Sequence, residues 1–290
     1  MKNPIFTGAC TALVTPFLGN QVNYPLLERL IRRQCDAGIR AIVICGTTGE
    51  SPTLSDREKL ELFTKARQYA RGEALIIAGT GSNCTEHAID LSRAAEDCGA
   101  DALLVVSPYY NKATPEGLLE HYAAIALSTK LPLIVYNVPS RTGVDIPVNV
   151  YRQLSQIPNI AGVKEASGDI NKISKIKSAC PDFAVWSGND DQIVPVMALG
   201  GSGVISVLSN VLPVQTQALC HAALDGDFDT AADLQLKLLP VIEALFCEVN
   251  PIPVKAAMKI MGFDCGICRM PLTPIKEENY KKLEKVLSSF

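Results

Sequence analysis

The sequence predicts a (β/α)8 barrel, or TIM barrel, that is followed by a helical extension at its C-terminal end. The chain has 290 residues, of which 48% are hydrophobic, and this is enough for one barrel of roughly 250 residues with a large core. Eight short apolar runs alternate with segments of helical periodicity, as expected for repeated βαβ units. The last part of the chain contains helical patterns only.

The eight predicted strands are apolar runs that are rich in β-branched residues and show little polar alternation. This pattern is typical of parallel strands that are covered on both faces. An open doubly wound sheet is the main alternative, but the G-x-G-x-x-G fingerprint that usually follows its first strand is missing. Eight units therefore favour a closed barrel. In chain order the runs span residues 9–15, 41–45, 74–79, 102–106, 133–136, 161–164, 184–186 and 203–208.

The helices between the strands have recognisable first residues. Ser55 and Glu58 have the spacing of a capping box, in which each side chain accepts a hydrogen bond from the other's free backbone N–H group. Thr114 precedes Pro115, which places a capping hydroxyl before a proline at the first helical position. Several helical segments end in glycine just before the next strand, as at Gly38.

From residue 226 onward the helical pattern is no longer interrupted by strands. Two proline-containing segments, 250–253 and 271–274, separate the helices. We therefore divide the chain into a barrel, residues 1–225, and a C-terminal helical subdomain, residues 226–290. No low-complexity linker joins them, so the subdomain is expected to pack on the barrel. Its three predicted helices span residues 228–246, 253–261 and 275–287.

Charge and composition exclude several kinds of partner. The 27 basic and 30 acidic residues give a formal charge of −3 and are scattered along the chain, so no nucleic-acid partner is expected. The chain has no apolar run of the roughly 18 residues that a membrane span needs. Its first residues lack the pattern of a signal peptide. We therefore expect a cytoplasmic protein without membrane contact.

Cysteine and histidine usage predicts neither a disulfide framework nor a metal site. Ten cysteines in a chain of this length are typical of reduced thiols in apolar surroundings. Cys265 and Cys268 have the C-x-x-C spacing, which is either incidental or part of a zinc or redox site whose further ligands are missing. No metal and no cofactor is predicted. The three histidines fall in helical segments without metal-ligand spacing: His87, His121 and His221.

Lys164 is the main candidate for chemistry, because barrel enzymes carry their reactive groups at the C-terminal ends of strands and it ends the sixth predicted strand. A lysine in a barrel interior is costly unless it is paired with a carboxylate or is a neutral amine. A neutral amine is the nucleophile that Schiff-base chemistry requires. The alternative is a structural ion pair, for which Glu165 is a poor partner because adjacent strand residues point to opposite faces. Position alone leaves both interpretations open.

Other polar groups follow neighbouring predicted strands. Tyr136, one strand away from Lys164, is either a proton shuttle or a core tyrosine. Arg141 lies in a loop between proline and glycine, where its donors suit a substrate carboxylate, although a loop arginine is also commonly just solvated. Thr47 and Thr48, between two glycines, can offer backbone N–H groups and hydroxyls to a second carboxylate, but this short pattern is a weak signal.

Together these residues resemble a known family, the dihydrodipicolinate synthase/N-acetylneuraminate lyase family of class I aldolases. The matching segments occur in the family's order and cover nearly the whole chain. The segment 140–143, which contains Arg141, is similar to the synthase branch, since the sialic acid lyases lack that arginine. The matching segments are Gly46-Thr47-Thr48-Gly49-Glu50, Tyr109-Tyr110-Asn111, Tyr136-Asn137-Val138-Pro139, Val163-Lys164-Glu165 and Asn250-Pro251-Ile252-Pro253-Val254-Lys255.

The resemblance implies a lyase that condenses pyruvate with L-aspartate 4-semialdehyde through a Schiff base on Lys164. The product would be 4-hydroxy-tetrahydrodipicolinate, on the route to diaminopimelate and lysine. The resemblance also implies a proton relay of Thr48, Tyr136 and Tyr110, with Tyr110 reaching in from a neighbouring subunit. The family's usual assembly is a homotetramer built as a dimer of tight dimers.

The resemblance also implies roles in substrate binding. Thr47 and Thr48 would bind the pyruvate carboxylate, and Arg141 would bind the carboxylate of the semialdehyde. The backbone at Gly188 and Ile205 would line the pocket around the imine.

A regulatory pocket for lysine is where the sequence departs from the family pattern. Ser51, Asn83 and Tyr109 match that pocket. Lysine-inhibited relatives have a histidine where Lys59 stands and a glutamate where His87 stands. The missing carboxylate removes a partner for the ammonium group of lysine, and Lys59 adds repulsion. We therefore predict weak or absent inhibition by lysine.

Two other functions remain as alternatives. A related class I pyruvate aldolase would keep the fold and the imine but act on a keto-deoxy sugar acid or sialic acid, and Arg141 argues against it. A catalytically silent protein that only binds a keto acid is disfavoured, because Lys164, Tyr136, Thr48 and Tyr110 are all present.

Overall fold

Eight parallel strands close into a barrel in the computed structural model, which describes residues 3–290. Strands that are consecutive in the barrel are neighbours, and the last strand pairs with the first. The predicted closed barrel is confirmed. The strands are β1 (Gly8–Ala12), β2 (Phe17–Leu18), β3 (Gln21–Val22), β4 (Ala41–Ile44), β5 (Leu75–Gly79), β6 (Ala102–Val106), β7 (Leu133–Asn137), β8 (Ile160–Glu165), β9 (Ala184–Ser187) and β10 (Gly203–Ser206). The short strands β2 and β3 form a separate antiparallel hairpin outside the barrel sheet.

Helices cover the outside of the barrel and form the C-terminal extension. Both predicted helix starts are confirmed. Ser55 and Glu58 exchange side chain to backbone hydrogen bonds at the first turn of the second helix, and Thr114 caps the fourth. The helices are α1 (Tyr24–Asp36), α2 (Asp56–Ala70), α3 (Thr85–Asp97), α4 (Pro115–Leu127), α5 (Pro139–Thr142), α6 (Val148–Leu154), α7 (Ile170–Ala179), α8 (Ile193–Ala198), α9 (Pro213–Leu224), α10 (Phe228–Leu245), α11 (Ile252–Ile260) and α12 (Glu277–Leu287).

The hydrophobic core has two layers, one between the strands and the helices and one inside the barrel. Inside the barrel Phe6 stacks on Trp186 with ring centroids 4.8 Å apart. Gly162 on β8 leaves room for this indole, since a Cβ atom there would lie 2.8 Å from the Trp186 ring. Aromatic packing therefore fills the interior, as expected for a barrel whose centre is a packed core.

The C-terminal extension packs on the barrel through α10, which contacts α8 and α9, while α11 and α12 pack on each other. None of the helices within residues 3–290 is long and apolar enough to cross a membrane. The segment between α10 and α11 reaches the C-terminal end of the barrel, where Asn250 contacts Thr48. The subdomain is thus joined directly to the end of the barrel that carries the candidate residues.

Candidate active site

Lys164 lies near the end of β8, directly opposite Tyr136 on β7 in the strand register. Its side chain is buried, with only 5% of the residue exposed. The amine Nζ lies 4.3 Å from the centroid of the Tyr136 ring. Among residues 3–290 no carboxylate lies within ion-pair distance of this amine. The structural ion pair considered from the sequence is therefore not formed.

Glu165 is turned away from Lys164 and is held by other groups. The hydroxyl of Tyr151 and the amide nitrogen of Asn137 both donate to its carboxylate, each at 2.9 Å. Burial and the neighbouring Glu165 raise the pKa of Tyr151 well above its usual range, so this phenol stays a hydrogen-bond donor. The opposite orientation of Lys164 and Glu165, which strand geometry predicts, is present in the structure.

Small and apolar groups surround the stem of Lys164. Gly188 follows β9, and a Cβ atom at this position would lie 3.1 Å from Lys164 Cε and 2.5 Å from the Ala166 Cβ atom. Ile205 on β10 is fully buried in the cluster inside the barrel, together with Tyr136. Gly188 therefore borders Lys164 directly, and Ile205 lies in the same interior layer as Tyr136.

Two further buried groups, which the sequence did not single out, lie close enough to interact with Lys164. Burial raises the pKa of the Cys10 thiol far above its usual value, although the charge of Lys164 opposes this effect. Burial also raises the pKa of Asp190, while Lys164 and hydrogen bonds favour its charged form. The backbone N–H groups of Val207 and Leu208 donate to the Asp190 carboxylate, both at 2.9 Å. Asp190 thereby ties β9 to the residues that follow β10.

A cavity of about 270 Å³ opens at the C-terminal end of the barrel. It brings together three of the predicted substrate and relay residues, Thr47, Tyr136 and Arg141, with four residues of the predicted regulatory pocket. Thr48, Tyr110, Asn83 and Lys164 are not among its lining residues. The four regulatory-pocket residues in the lining are Ser51, Lys59, His87 and Tyr109.

Arg141 lies in the one-turn helix α5, so the predicted loop is wrong. Pro139 sets the first helical position and Gly143 ends the turn in the left-handed conformation, with φ +72°, so two residues that indicate a loop here cap a helical turn. The guanidinium nitrogen Nη2 donates to the backbone carbonyl of Asn250 at 3.3 Å. One edge of the guanidinium is thus fixed.

Thr48 is buried behind Thr47, with 2% of the residue exposed. Its hydroxyl accepts a hydrogen bond from the amide nitrogen of Asn250 at 3.0 Å. Glu50, two residues further on, adopts a left-handed conformation with φ +58° and pairs with Lys255 of α11 at 2.7 Å. Two residues of the turn after β4, Thr48 and Glu50, are therefore held by residues of the C-terminal subdomain.

Tyr110 is the predicted relay residue that lies on the surface of the protomer. Its side chain is 90% exposed, and its backbone is left-handed with φ +74°. A bulky residue held in this conformation is uncommon and indicates a local constraint. Within one protomer its side chain is exposed and does not line the cavity that contains Tyr136.

Lys59 and His87 are the two residues at which the predicted regulatory pocket departs from the family pattern. Both contact the carboxylate of Asp56. Asp56 at the start of α2 accepts from Lys59 Nζ at 3.3 Å and lies 2.9 Å from His87 Nε2. The hydrogen bond from His87, followed by the charge of Lys59, lowers the pKa of Asp56. Asn83 does not line the cavity, and its backbone carbonyl accepts from the side chain of Asn111 at 2.8 Å.

The C-x-x-C pair and the buried histidine have environments that favour neutral groups. Burial raises the pKa of Cys265 to about 12 and that of Cys268 to about 11, and both thiols are free. Burial lowers the pKa of His121 to about 4. Within residues 3–290 no three histidine, cysteine or acidic side chains come together as a metal site.

The fold and the buried lysine beside Tyr136 define a barrel lyase of the class I aldolase type. Residues 5–290 match the model of the dihydrodipicolinate synthetase family, and the chain belongs to this family. The prediction of the family and of the barrel is thus confirmed.

Curated relatives and solved structures match over the full length. The 4-hydroxy-tetrahydrodipicolinate synthase of Acetivibrio thermocellus is 50% identical over 100% of this chain and 99% of its own. The enzyme of the same name from Caldicellulosiruptor saccharolyticus is 49% identical over 99% and 98%. The crystal structure of the chloride-inhibited dihydrodipicolinate synthase from Acinetobacter baumannii, complexed with pyruvate, is 43% identical with a TM-score of 0.96 over 98% of both chains.

Proposed function

We propose that this enzyme condenses pyruvate with L-aspartate 4-semialdehyde and forms 4-hydroxy-tetrahydrodipicolinate, a precursor of diaminopimelate and lysine. The full-length relatives carry the name of this activity, and the relative from Acinetobacter baumannii is complexed with pyruvate. The observation that carries the proposal is the buried amine of Lys164, which forms no ion pair with a carboxylate within residues 3–290 and which lies 4.3 Å from the Tyr136 ring centroid.

In the proposed reaction the Lys164 amine adds to the ketone carbon of pyruvate. Loss of water gives an imine, and removal of a proton from the methyl carbon gives an enamine. The enamine carbon attacks the aldehyde of the second substrate, which re-forms the imine on Lys164. The amino group of the second substrate then adds to the imine carbon and displaces the Lys164 amine as the ring of the product closes. Tyr136 is placed to move protons during the addition and the loss of water.

The other predicted site residues bind the two substrates or take part in the proton relay. Thr47 and Thr48 bind the pyruvate carboxylate, and Thr48 also joins Tyr136 in the proton relay. Arg141 binds the carboxylate of the semialdehyde with the donors that do not contact Asn250. Gly188 and Ile205 line the imine pocket, which is supported by the close approach of Gly188 to Lys164 Cε.

The relay is completed across a subunit interface. Tyr110 is 90% exposed in one protomer, which supports a role in the site of a neighbouring subunit. We propose a tight dimer as the active unit and a homotetramer, as a dimer of dimers, as the full assembly. We also propose a cytoplasmic location, which the biosynthetic reaction supports.

Borohydride trapping tests the imine. Reduction in the presence of pyruvate should add a stable label to Lys164, located by peptide mass spectrometry, and Lys164→Ala should remove both the label and nearly all turnover. Lys172, a buried lysine paired with Asp145, serves as the control that stays unlabelled. A wild-type enzyme that turns over without any trapped adduct would contradict the proposed mechanism.

A comparison of acceptors tests the second substrate. Aspartate semialdehyde should react far faster than sugar aldehydes, whereas a preference for the sugar aldehydes would favour the keto-deoxy sugar acid or sialic acid aldolase. Arg141→Ala should weaken the semialdehyde reaction by about 10²-fold, the order expected when a charge-assisted contact of roughly 3 kcal/mol is lost, and should leave pyruvate trapping intact. Arg152→Ala, on the exposed side of α6, is the matched control.

A further inference from the structure

Strand β8 contains one residue more than its neighbour β7 can match. Leu133 of β7 stands opposite Ile160 of β8, but the next residue, Ile134, stands opposite Gly162. Ala161 is therefore left without a partner in the register of the two strands, and it is the one residue of β8 that is not buried. An extra residue of this kind is a β-bulge, and bulges next to active sites commonly redirect side chains.

The bulge decides which face of the barrel wall each later residue of β8 takes. Ile160 and Val163 both pack between the strands and the helices, although they are three positions apart. In a regular strand, residues an odd number of positions apart point to opposite faces. A regular strand starting from Ile160 would therefore put Glu165 inside the barrel and Lys164 outside. With the bulge, Lys164 lies inside, opposite Tyr136.

Beyond the bulge, a side-chain pair on the outer face joins the two strands in this register. Asn137 stands opposite Glu165, and both are buried, with 0% and 3% of each residue exposed. The amide nitrogen of Asn137 donates to both carboxylate oxygens of Glu165, at 2.9 and 3.1 Å. The side-chain carbonyl of Asn137 accepts from the backbone N–H of Ile146 at 3.1 Å. Both ends of the amide thus have partners, and its orientation is fixed.

The outer position suits a carboxylate and disfavours an ammonium group. Besides the amide, the hydroxyl of Tyr151 and the backbone N–H of Ser167 donate to Glu165, both at 2.9 Å. The ammonium group of Lys172 lies 4.0 Å from the same carboxylate. Because a lysine side chain has no acceptor, Lys164 turned to this face would meet donors and a like charge.

We propose that Asn137 and Glu165 are positioning residues, which lock β7 and β8 in the register set by the bulge and thereby hold Lys164 inside the barrel beside Tyr136. The inference rests on the proposed function, because it concerns the placement of the amine that forms the imine. Neither positioning residue touches the substrate in this role, since their paired side chains lie on the outer face of the strands.

Asn137→Ala removes the donor that joins the strands but leaves Glu165 with Tyr151 and Ser167. The maximal rate of borohydride trapping with pyruvate alone should fall by about 10- to 100-fold, the scale on which misplacement of a reacting group acts. The pyruvate concentration at half the maximal rate should stay close to that of the wild type, because the groups that bind the pyruvate carboxylate are unchanged. Glu165→Gln keeps an acceptor oxygen for Asn137 and should react at nearly the wild-type rate.

Tyr151→Phe is the matched control. It removes a hydrogen bond to the same carboxylate, but from α6, so that the pair between the strands stays intact. It should lower the urea concentration at the unfolding midpoint and leave the trapping rate unchanged. If the trapping rates of Asn137→Ala and Tyr151→Phe instead fell in proportion to their loss of stability, the role of the pair would be structural only and the proposal would be overturned.

Glu165→Leu breaks the same pair from the other strand and should lower the maximal trapping rate in the same way, so that either single variant can test the proposal. In a double-mutant cycle, Glu165→Leu should cause little further loss in the Asn137→Ala background, because the contact between the strands is already broken. Losses that add in full would overturn the proposal.

These outcomes are distinct from failure of the proposed function. If the wild-type enzyme forms no adduct with pyruvate, the Schiff-base reaction itself is wrong. If wild type and Asn137→Ala are trapped at equal maximal rates, the reaction stands and the positioning role of the pair is refuted.

Discussion

The absence of a side chain at Gly188 gives Lys164 the space that it occupies. An added Cβ would approach Lys164 Cε to 3.1 Å and Ala166 Cβ to 2.5 Å. The Ala166 Cβ cannot move easily in a packed interior, so the flexible side chain of Lys164 would be displaced. The position of the amine in front of Tyr136 therefore depends on a residue that carries no functional group.

Gly188→Ala should accordingly lower both stability and catalysis. Overpacking of this kind costs about 1–3 kcal/mol, and a displaced Lys164 should react with pyruvate roughly ten-fold more slowly or worse. Chemical denaturation and the trapping rate measure the two effects. Gly226→Ala, at a turn with positive φ and open space, is the control that should change stability alone, and an undisturbed trapping rate in Gly188→Ala would contradict the argument.

We predict that single residues also decide whether lysine inhibits this enzyme. Asp56 is already engaged by Lys59 and His87, so the ammonium group of a bound lysine would meet a cation and no free carboxylate. We expect weak or absent inhibition. Half-maximal inhibition at a lysine concentration well below millimolar would refute this expectation. The double substitution Lys59→His with His87→Glu should introduce inhibition, which steady-state assays with and without lysine would measure.

At the scale of elements, the turn after β4 is the part of the site that depends most on the rest of the chain. Glu50 is buried in the left-handed conformation, and its carboxylate accepts from Lys255 at 2.7 Å and from the backbone N–H of Arg269 at 2.8 Å. The hydroxyl of Thr15 donates to the carbonyl of Gly49 at 2.7 Å. Breaking a buried pair by removing one partner leaves an uncompensated charge, so this turn is fixed only when all of these contacts form.

The Glu58–Arg269 contact at the start of α2 should make stability depend on pH. Hydrogen bonds from Arg269, and from Ser55, hold the pKa of Glu58 at about 2, against an ordinary value of 4.5. Because the pKa is lowered on folding, the contribution is complete above pH 4.5 and is lost as the pH falls toward 2. It should amount to about 1–2 kcal/mol after allowance for partial exposure.

Urea unfolding between pH 7 and pH 2.5 measures this contribution. As the pH is lowered in the acid range, the urea concentration at the unfolding midpoint should fall more steeply for the wild type than for Glu58→Gln, which lacks the titrating group. Glu86→Gln, in the first turn of α3 and exposed, is the matched control and should follow the wild type. Parallel curves for wild type and Glu58→Gln would show that the contact contributes nothing.

Strand and helix boundaries could be predicted because they depend on local pattern. The run at residues 102–106 coincides with β6, and residues 203–208 extend β10 by only two residues. The exception near the site is α5, where Pro139 and Gly143 are equally compatible with a loop. Periodicity does not distinguish a single helical turn from a loop, because one turn contains too few residues.

At the scale of the whole molecule, Tyr110, which we propose as a relay residue, has a side chain that is exposed to solvent in one protomer. The family resemblance predicts that this tyrosine enters a neighbouring site, and its exposure agrees with that arrangement. In an assembly with two-fold symmetry the exchange is reciprocal, since each subunit both gives and receives the residue. Activity should therefore require at least a dimer.

Mixing two inactive variants tests this reciprocity. In a hybrid of Lys164→Ala and Tyr110→Phe subunits, one of the two sites contains Lys164 from one chain and Tyr110 from the other. Random exchange should thus restore about one quarter of the wild-type sites, by the symmetry of the dimer. If activity does not recover although sedimentation shows that hybrids have formed, Tyr110 acts in the site of its own protomer.

Long-range partners could not be predicted from the sequence. The strand register that sets Tyr136 opposite Lys164 follows from the barrel, and both residues were identified from their strand ends. Nothing local to Asn250 or Lys255 indicates which of the many residues at the barrel end they contact, because those partners lie 202 and 205 positions earlier in the chain. Such contacts follow from tertiary packing and not from any local periodicity.

The dependence of the turn after β4 on Arg269 has a consequence for synthesis. A contact over 219 positions means that the ribosome makes the complete barrel well before the residues that hold this turn. At roughly 5–20 residues per second, Glu50 is translated about 10–45 seconds before Arg269. We therefore expect that a nascent chain which has already formed the barrel stays inactive until the segment around Arg269 has been made and has docked on the turn.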